Sequence, residues 1–134
     1  MSEFVTKLGI KESQTVVVLD EESELFRRLS LEFPSTVTLQ KRILGIPVDM
    51  IIIRIMQKVE YEQLFQRLRR AIKPDGAVWA VIQKKSVALK KGGNVFWDEM
   101  MEGVLKTDLV DNKTLSFNDE EYGTRLVVRK VLRQ

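Results

Sequence analysis

The sequence contains no cysteine and no histidine among its 134 residues. Zinc structural sites, iron–sulfur clusters and haem sites that use these residue types as ligands are therefore excluded. Catalysis by a Ser-His-Asp triad or a Cys-His pair is excluded for the same reason. A general base would have to be a carboxylate, a lysine or a tyrosine, and a metal would have to be a hard cation held by oxygen ligands. We assign no catalytic residue and no metal ligand.

Long hydrophobic runs are also missing, because no apolar stretch approaches the length that crosses a bilayer. The first residues lack the basic and apolar regions of a signal peptide. Absent cysteine is compatible with a reducing compartment. We therefore expect a cytoplasmic protein that does not associate with membranes.

Aromatic residues make up only 7% of the chain and lie mostly at core spacing, which gives little support for base stacking on nucleic acid. What is present is a globular composition, with 44% hydrophobic and 31% charged residues and a net charge of +3. A chain of this length predicts one domain over residues 1–134.

Strand and helix patterns alternate along the chain. Short apolar or alternating runs predict strands at residues 15–19, 36–39, 48–55, 77–82, 109–117 and 124–131. Helical spacing predicts helices at 21–31, 60–72 and 94–105, with Asp20 and Asn94 as N-caps. Residues 74–76 predict a turn, and 84–93 a basic loop. This order predicts an α/β fold with a single, mainly parallel, twisted sheet of about six strands and an antiparallel C-terminal pair.

The connection between the second and third predicted strands is short. Residues 40–47 could span roughly 26–29 Å at full extension, so a parallel crossover would be nearly taut; otherwise the second strand is displaced or antiparallel. Without helices there, part of the sheet would be uncovered, and either residues 4–10 or a second subunit should cover it. We expect a homodimer.

Residues 64–82, LFQRLRRAIKPDGAVWAVI, resemble a helix, turn and strand of the class I methyltransferase fold, and Val48-Asp49 resembles the start of the strand before them. The resemblance implies a Rossmann-like sheet of seven strands, truncated here between the second and third predicted strands. More narrowly, the chain resembles a small family of uncharacterised bacterial proteins of this fold, a domain of unknown function, at residues 7–11, 110–113 and 125–127. That family has no established activity to transfer.

Three features that the resemblance implies for a competent methyltransferase are missing. The turn after the first strand, residues 19–23, has no glycine to let a cofactor approach the backbone. Gln40 and Lys41 follow the second strand, where an acidic residue normally accepts bonds from the ribose. Residues 54–57 replace the Asn/Asp-Pro-Pro-Tyr motif. We therefore expect no cofactor, S-adenosylmethionine included.

Parallel sheets bind ligands beyond the carboxyl ends of their strands. Reading those ends from the sequence predicts a mixed-charge crevice for a small polar or anionic ligand, with solvated loop charges as the alternative. Arg54 would either clamp a carboxylate or phosphate, or pair with Asp20 or Glu21. The predicted crevice residues are Asp20, Glu21, Glu22, Ser23, Gln40, Arg54, Gln57, Lys84 and Lys85.

A second candidate is an anion site in the basic loop, where backbone N–H groups and a helix N-terminus would add to the lysines. Its residues are Lys90, Lys91, Gly92, Gly93 and Asn94. A solvated loop is the alternative. A further basic stretch comprises Arg67, Arg69, Arg70 and Lys73, and nucleic-acid binding becomes a prediction only if it shares one side with the loop lysines.

Three functions compete. The missing cofactor features favour a non-catalytic ligand-binding or protein-interaction module on a degenerate methyltransferase-like scaffold. The first alternative is an S-adenosylmethionine-dependent methyltransferase with an atypical cofactor loop, in which Asp20 or Glu22 reaches the cofactor. The second is a basic protein that associates with nucleic acid.

Overall fold

The computed structural model describes residues 2–132. The helices are α1 (Glu3–Leu8), α2 (Glu24–Glu32), α3 (Tyr61–Ala71), α4 (Lys85–Lys91) and α5 (Trp97–Val104), followed by a 3-10 turn at Lys130–Leu132. The strands are β1 (Thr15–Leu19), β2 (Thr38–Gln40), β3 (Val48–Arg54), β4 (Ile72–Gln83), β5 (Leu109–Ser116) and β6 (Glu121–Val128).

The described strands form one six-stranded sheet in the order β2-β1-β3-β4-β6-β5. β1 pairs in parallel with β2 and β3, and β3 pairs in parallel with β4. β6 is antiparallel to both β4 and β5. The predicted α/β fold, mainly parallel with an antiparallel C-terminal pair, is confirmed.

Helices cover both faces of the sheet because alternate strand residues are apolar on each side. One face packs against α3 and α5, with Phe65 and Met100 fully buried. The other packs against α1 and α2, with Leu8 and Leu29 fully buried. Trp79 lies on this second face, and its indole N–H donates to the carbonyl of Leu8 at 2.9 Å.

The N-terminal segment therefore covers part of the sheet, which was one of the two expectations from the sequence. Val5 and Leu8 in α1 are fully buried, and Ile10 after it is 3% exposed. Phe4 stacks edge-on to Phe117 with ring centroids 5.0 Å apart, which joins α1 to the loop between β5 and β6.

The short connection between β2 and β3 is not fully extended. β2 is parallel to β1 but has only three residues, and its last residue, Gln40, pairs with Val17 in the middle of β1. The chain returns about 10 Å along the strands and crosses two strand spacings of about 5 Å each, so residues 41–47 span only about 14 Å. The spare length lets Ile43 pack on the core.

Two local predictions were wrong after β4. Residues 84–93 are not a loop, because Lys85–Lys91 forms α4, with Ala88 buried and Gly92 ending the helix at a φ of 72°. Its residues are mostly good helix formers, and glycine commonly follows a helix C-terminus. Asn94 begins no helix: α5 starts at Trp97, and the Asn94 side chain accepts a hydrogen bond from the Lys58 N–H at 3.0 Å.

The predicted turn at residues 74–76 lies inside β4 as an irregularity of the ladder. The pairing jumps from Val48 with Ile72 to Met50 with Ala77. A side chain at Gly76 would lie 2.9 Å from the Asp49 carbonyl oxygen, so the close backbone approach requires glycine.

Candidate functional site

Arg54, the last residue of β3, pairs with three carboxylates at the carboxyl edge of the sheet. Its Nε lies 2.7 Å from Glu121 Oε2 and its Nη1 lies 3.0 Å from Glu22 Oε2. Asp20 Oδ1 lies 3.5 Å from the same Nη1. The Asp20, Arg54 and Glu121 side chains are 2%, 10% and 10% exposed, whereas Glu22 is 62% exposed. We call these four residues the Arg54 cluster.

The topology explains why these residues meet. Asp20 directly follows β1, which pairs in parallel with β3, so the ends of both strands lie at one edge. Glu121 begins β6, which is antiparallel to β4 and pairs with Gln83 at the end of that strand. The Asn118 amide donates to Glu121 Oε1 at 2.9 Å, which holds the carboxylate toward Arg54.

Asp20 is fully engaged by its own loop. Its Oδ2 accepts the N–H of Leu25 at 2.7 Å, and its Oδ1 accepts the N–H of Glu22 at 3.1 Å. The carboxylate thus satisfies a free N–H at the start of α2, although the helix begins at Glu24 and its N-cap is Ser23, not the predicted Asp20. Ser23, in the same turn, has a φ of 59°, which is the left-handed region that glycine adopts most readily.

Arg54 remains charged in this setting. Burial alone would lower the pKa of its guanidinium, but hydrogen bonds to Glu121 and Glu22, together with the charges of Glu121 and Asp20, raise that pKa above its ordinary value. Because three carboxylates face one guanidinium, the cluster has an excess of negative charge.

A hollow of about 290 Å³ opens beside the Arg54 cluster, between the ends of β1 and β3. Its polar lining comes from Asp20, Glu21, Glu22, Arg54 and Gln57, five of the predicted crevice residues. Its apolar lining comes from Ile53, Ile55, Met56, Val59 and Leu64. We call this hollow the switch-point hollow, since the strand order reverses here.

Four predicted crevice residues lie elsewhere. Ser23 precedes α2 outside the lining of this hollow, and Gln40 lines a different hollow beside Leu44 and Ile46, where its Oε1 has no hydrogen-bond partner among the described residues. Lys84 precedes α4, and its N–H donates to the Glu120 carbonyl at 2.8 Å. Lys85 lines a third hollow with Gln83, Trp97 and Tyr122. Lys84 and Lys85, the predicted basic residues of the crevice, therefore do not line the hollow beside Asp20.

The predicted anion-site residues lie at the C-terminal end of a helix, whereas the prediction relied on a helix N-terminus. Lys90 and Lys91 are in the last turn of α4, where free carbonyl groups repel anions and favour cations. Lys91 Nζ already pairs with Glu120 Oε2 at 2.6 Å. Gly92 and Gly93 end α4 and do not start α5. Anion binding by these residues stays a prediction without a helix N-terminus to support it.

The two basic stretches lie at opposite ends of β4. Arg69 and Arg70 lie in the last turn of α3, just before β4 begins, whereas Lys84 and the lysines of α4 follow its end. The intervening strand has 12 residues, which separates the two groups by roughly 30–40 Å. They therefore form no single compact basic patch, and nucleic-acid binding stays an alternative without that support.

Glu121 is the cluster member that sequence reasoning missed. It lies between the predicted strands at 109–117 and 124–131, 67 positions from Arg54. The available signal is Arg54 itself, because a cation within an apolar strand needs a partner. The sequence suggests only Asp20 or Glu21 as partners. Asp20 does face Arg54, but the second contact from this turn comes from Glu22 and not from Glu21.

Comparison with solved structures assigns the architecture. A protein of Sulfolobus solfataricus assigned to the type 11 methyltransferases superposes with a TM-score of 0.61 at 16% identity, over 87% of this chain and 85% of that one. The PH0226 protein of Pyrococcus horikoshii OT3 gives 0.59 at 14% identity, over 95% and 89%. The glycopeptide N-methyltransferase MtfA, complexed with sinefungin, gives 0.58 at 11% identity, over 95% and 91%.

The chain has a methyltransferase-like fold. At these identities the likeness concerns the fold and not the activity. No protein-family model matches the chain, and no curated protein matches its sequence. The narrower resemblance to a bacterial family stays a prediction. Within residues 2–132, no helix is long and apolar enough to cross a membrane.

Proposed function

We propose that this chain is a non-catalytic binding module on a methyltransferase-like scaffold and that it does not use S-adenosylmethionine. The observation that carries the proposal is the Arg54 cluster. It fills the edge of the sheet at the reversal of strand order, where open α/β sheets take their ligands. An enzyme of this fold keeps that edge open for its cofactor.

The residues at this edge do not fit the cofactor. The Asp20 carboxylate is 2% exposed, accepts bonds from two backbone N–H groups and faces Arg54, so it offers little open surface to cofactor hydroxyls. The turn that follows β1 contains no glycine. The switch-point hollow, at about 290 Å³, is at the small end of the roughly 300–1,000 Å³ typical of ligand pockets.

The charge of the switch-point hollow favours a cationic ligand, whereas the sequence predicted a small polar or anionic one. Asp20, Glu21 and Glu22 line it with Arg54, whose charge Glu121 also neutralises, and the remaining lining is largely apolar. Excess negative charge above an apolar floor suits a cation on an apolar stem, such as a lysine or arginine side chain of a partner protein. An anionic ligand would be repelled. We therefore favour the interaction module over a site for a small anion.

Calorimetry tests both parts of the proposal. S-adenosylmethionine and S-adenosylhomocysteine should produce no saturable heat, and micromolar binding of either would overturn the proposal in favour of a methyltransferase. A short lysine-containing peptide should bind and its acetyl-lysine analogue should not. Equal binding, or none by the lysine peptide, would contradict the assigned ligand class.

A matched pair of variants locates the binding. Glu22→Gln removes the exposed carboxylate of the Arg54 cluster and should weaken the lysine peptide several-fold at low salt. Glu12→Gln removes an exposed carboxylate before β1 and should leave the affinity unchanged. Equal effects of the two substitutions would indicate general charge attraction. Tight RNA binding with a steep salt dependence would favour the nucleic-acid alternative instead.

We further propose a homodimer of a cytoplasmic protein. β2 is an edge strand, and Leu44 and Ile46 beside it are 57% and 74% exposed. Unpaired strand edges with apolar neighbours favour self-association. Light scattering should give a dimer mass for the native chain and a monomer mass for Ile46→Glu; a native monomer at high micromolar concentration would contradict the dimer.

A further inference from the structure

A further hollow, of about 350 Å³ and distinct from the three described above, lies at the opposite end of the sheet from the Arg54 cluster. It is formed where α3 ends and where the loop between α5 and β5 turns back toward the sheet. Its lining residues are Gln66, Arg69, Arg70, Lys106, Thr107 and Asp108. We call it the basal hollow.

Arg69 has a buried donor with nothing to donate to. Its Nε is buried and makes no hydrogen bond to any described residue. The Asp108 carboxylate is 3.7 Å away, which is an ion pair but too long for a hydrogen bond. A buried donor without a partner carries an energetic cost, and such groups commonly mark an unfilled site for water or an ion. Arg69 Nε therefore has no acceptor within hydrogen-bond distance among the described residues.

The charge of the basal hollow is positive. Arg69, Arg70 and Lys106 face one carboxylate, that of Asp108. The free carbonyl groups at the end of α3 offset part of this charge. They do not reach a full negative charge, since a helix terminus is equivalent to about half an elementary charge. An excess of about one and a half positive charges remains for a ligand.

The loop that carries Lys106 and Asp108 is held in place by its own hydrogen bonds. The Thr107 hydroxyl donates to the Val104 carbonyl at 2.5 Å and accepts the Leu109 N–H at 3.1 Å. Arg129 Nη2 donates to the Leu105 carbonyl at 3.0 Å from the other side. A fixed loop lets the cations converge without a large cost in ordering.

We propose that the basal hollow binds a phosphate group carried by a small metabolite. A guanidinium with a free N–H, a second arginine and a lysine are the groups that recognise phosphate oxygens. The oxyanion would accept from Arg69 Nε and take charge from Arg70 and Lys106, with the Asp108 carboxylate turning away to solvent, where it is already 55% exposed. The site is independent of the switch-point hollow, so either proposal can fail alone.

The test is a titration followed by backbone amide NMR shifts, with inorganic phosphate at constant ionic strength and chloride as the reference anion. Saturable shifts should be confined to residues 66–70 and 106–108. Arg69→Gln and Lys106→Gln should each weaken binding about tenfold, the loss of one charge-assisted contact. Lys58→Gln, at an exposed lysine that follows β3 at the other end of the sheet, should leave it unchanged.

Several results would contradict phosphate binding in the basal hollow. Linear shifts without saturation, or equal weakening by Lys106→Gln and Lys58→Gln, would overturn the proposal. Because Arg69 is only 24% exposed and its removal could disturb folding, Arg70→Gln at an exposed position provides a second variant with the same expected loss. Glycerol 3-phosphate should bind at least as well as inorganic phosphate. A DNA oligonucleotide that binds the same residues more tightly would contradict a small-metabolite source.

Discussion

Arg54 and Glu121 form a 2.7 Å ion pair across the carboxyl edge of β4, although 67 positions separate them in the chain. The pair ties β3 to β6, which do not neighbour each other in the sheet. Both side chains are 10% exposed, so each charge depends on the other for compensation. The contact therefore links the site to the stability of the fold.

Removing Arg54 should destabilise the protein strongly. Arg54→Leu leaves the Asp20 and Glu121 carboxylates buried without their cation, which should cost about 3–5 kcal/mol of unfolding free energy. Urea unfolding followed by circular dichroism measures the loss. Lys91→Leu breaks an ion pair whose two side chains are each 52% exposed and screened by solvent, so its cost should be small beside that of Arg54→Leu. Similar losses for both variants would contradict a structural role for the Arg54 cluster.

A side chain at Gly103 should separate α5 from α3. A Cβ there would lie 2.6 Å from the Tyr61 Cβ and 2.9 Å from the Glu62 backbone nitrogen. Gly103→Ala should therefore lower the unfolding free energy by about 1–3 kcal/mol, although alanine is the better helix former by about 1 kcal/mol. The exposed neighbour substitution Glu102→Ala should change it little. A stabilised Gly103→Ala protein would show that the helices are not in close contact.

Truncating Leu8 should uncover the sheet face that α1 protects. Leu8 is fully buried, so Leu8→Ala should cost about 2–5 kcal/mol. Leu31 on α2 is 88% exposed, and Leu31→Ala should stay within about 0.5 kcal/mol of the parent protein. Thermal or urea unfolding measures both. If the two variants unfold alike, α1 does not supply the cover.

Both tyrosines should ionise late, and stability should fall at alkaline pH. Burial and then the Glu99 charge raise the pKa of Tyr61, and burial and then the Asp98 charge raise the pKa of Tyr122. The unfolded chain loses these protons first, so their contribution is complete below about pH 10 and is lost as pH rises through the raised values.

Tyrosinate absorbance measures this directly, since Tyr61 and Tyr122 are the chain's only tyrosines. The midpoint of the folded protein should exceed that of the chain in urea. Tyr122→Phe should halve the amplitude and leave the second late transition in place. Identical midpoints in the folded and unfolded chain would refute the expectation.

Strong periodicities in the sequence predicted the central elements closely. The predicted strand at 48–55 is β3 (Val48–Arg54), and the predicted helix at 60–72 is α3 (Tyr61–Ala71). α4 was missed because its seven residues are too few for an apolar period, and its lysines and following glycines resemble a loop. Local pattern is informative only where an element is long enough to repeat it.

The sequence by itself determined the α/β architecture and the short connection after the second strand. It also offered the pairing of Asp20 with Arg54 as one alternative, because parallel strands end at one edge of a sheet. Only the tertiary structure decided that Glu121 completes the cluster and that Lys85 lines another hollow. It also decided that β2 is displaced along β1, so that Gln40 pairs with Val17 in the middle of that strand and lies away from the site. These outcomes depend on strand length and on the register of β6 against β4, which is set by packing across the whole sheet and not by neighbouring residues.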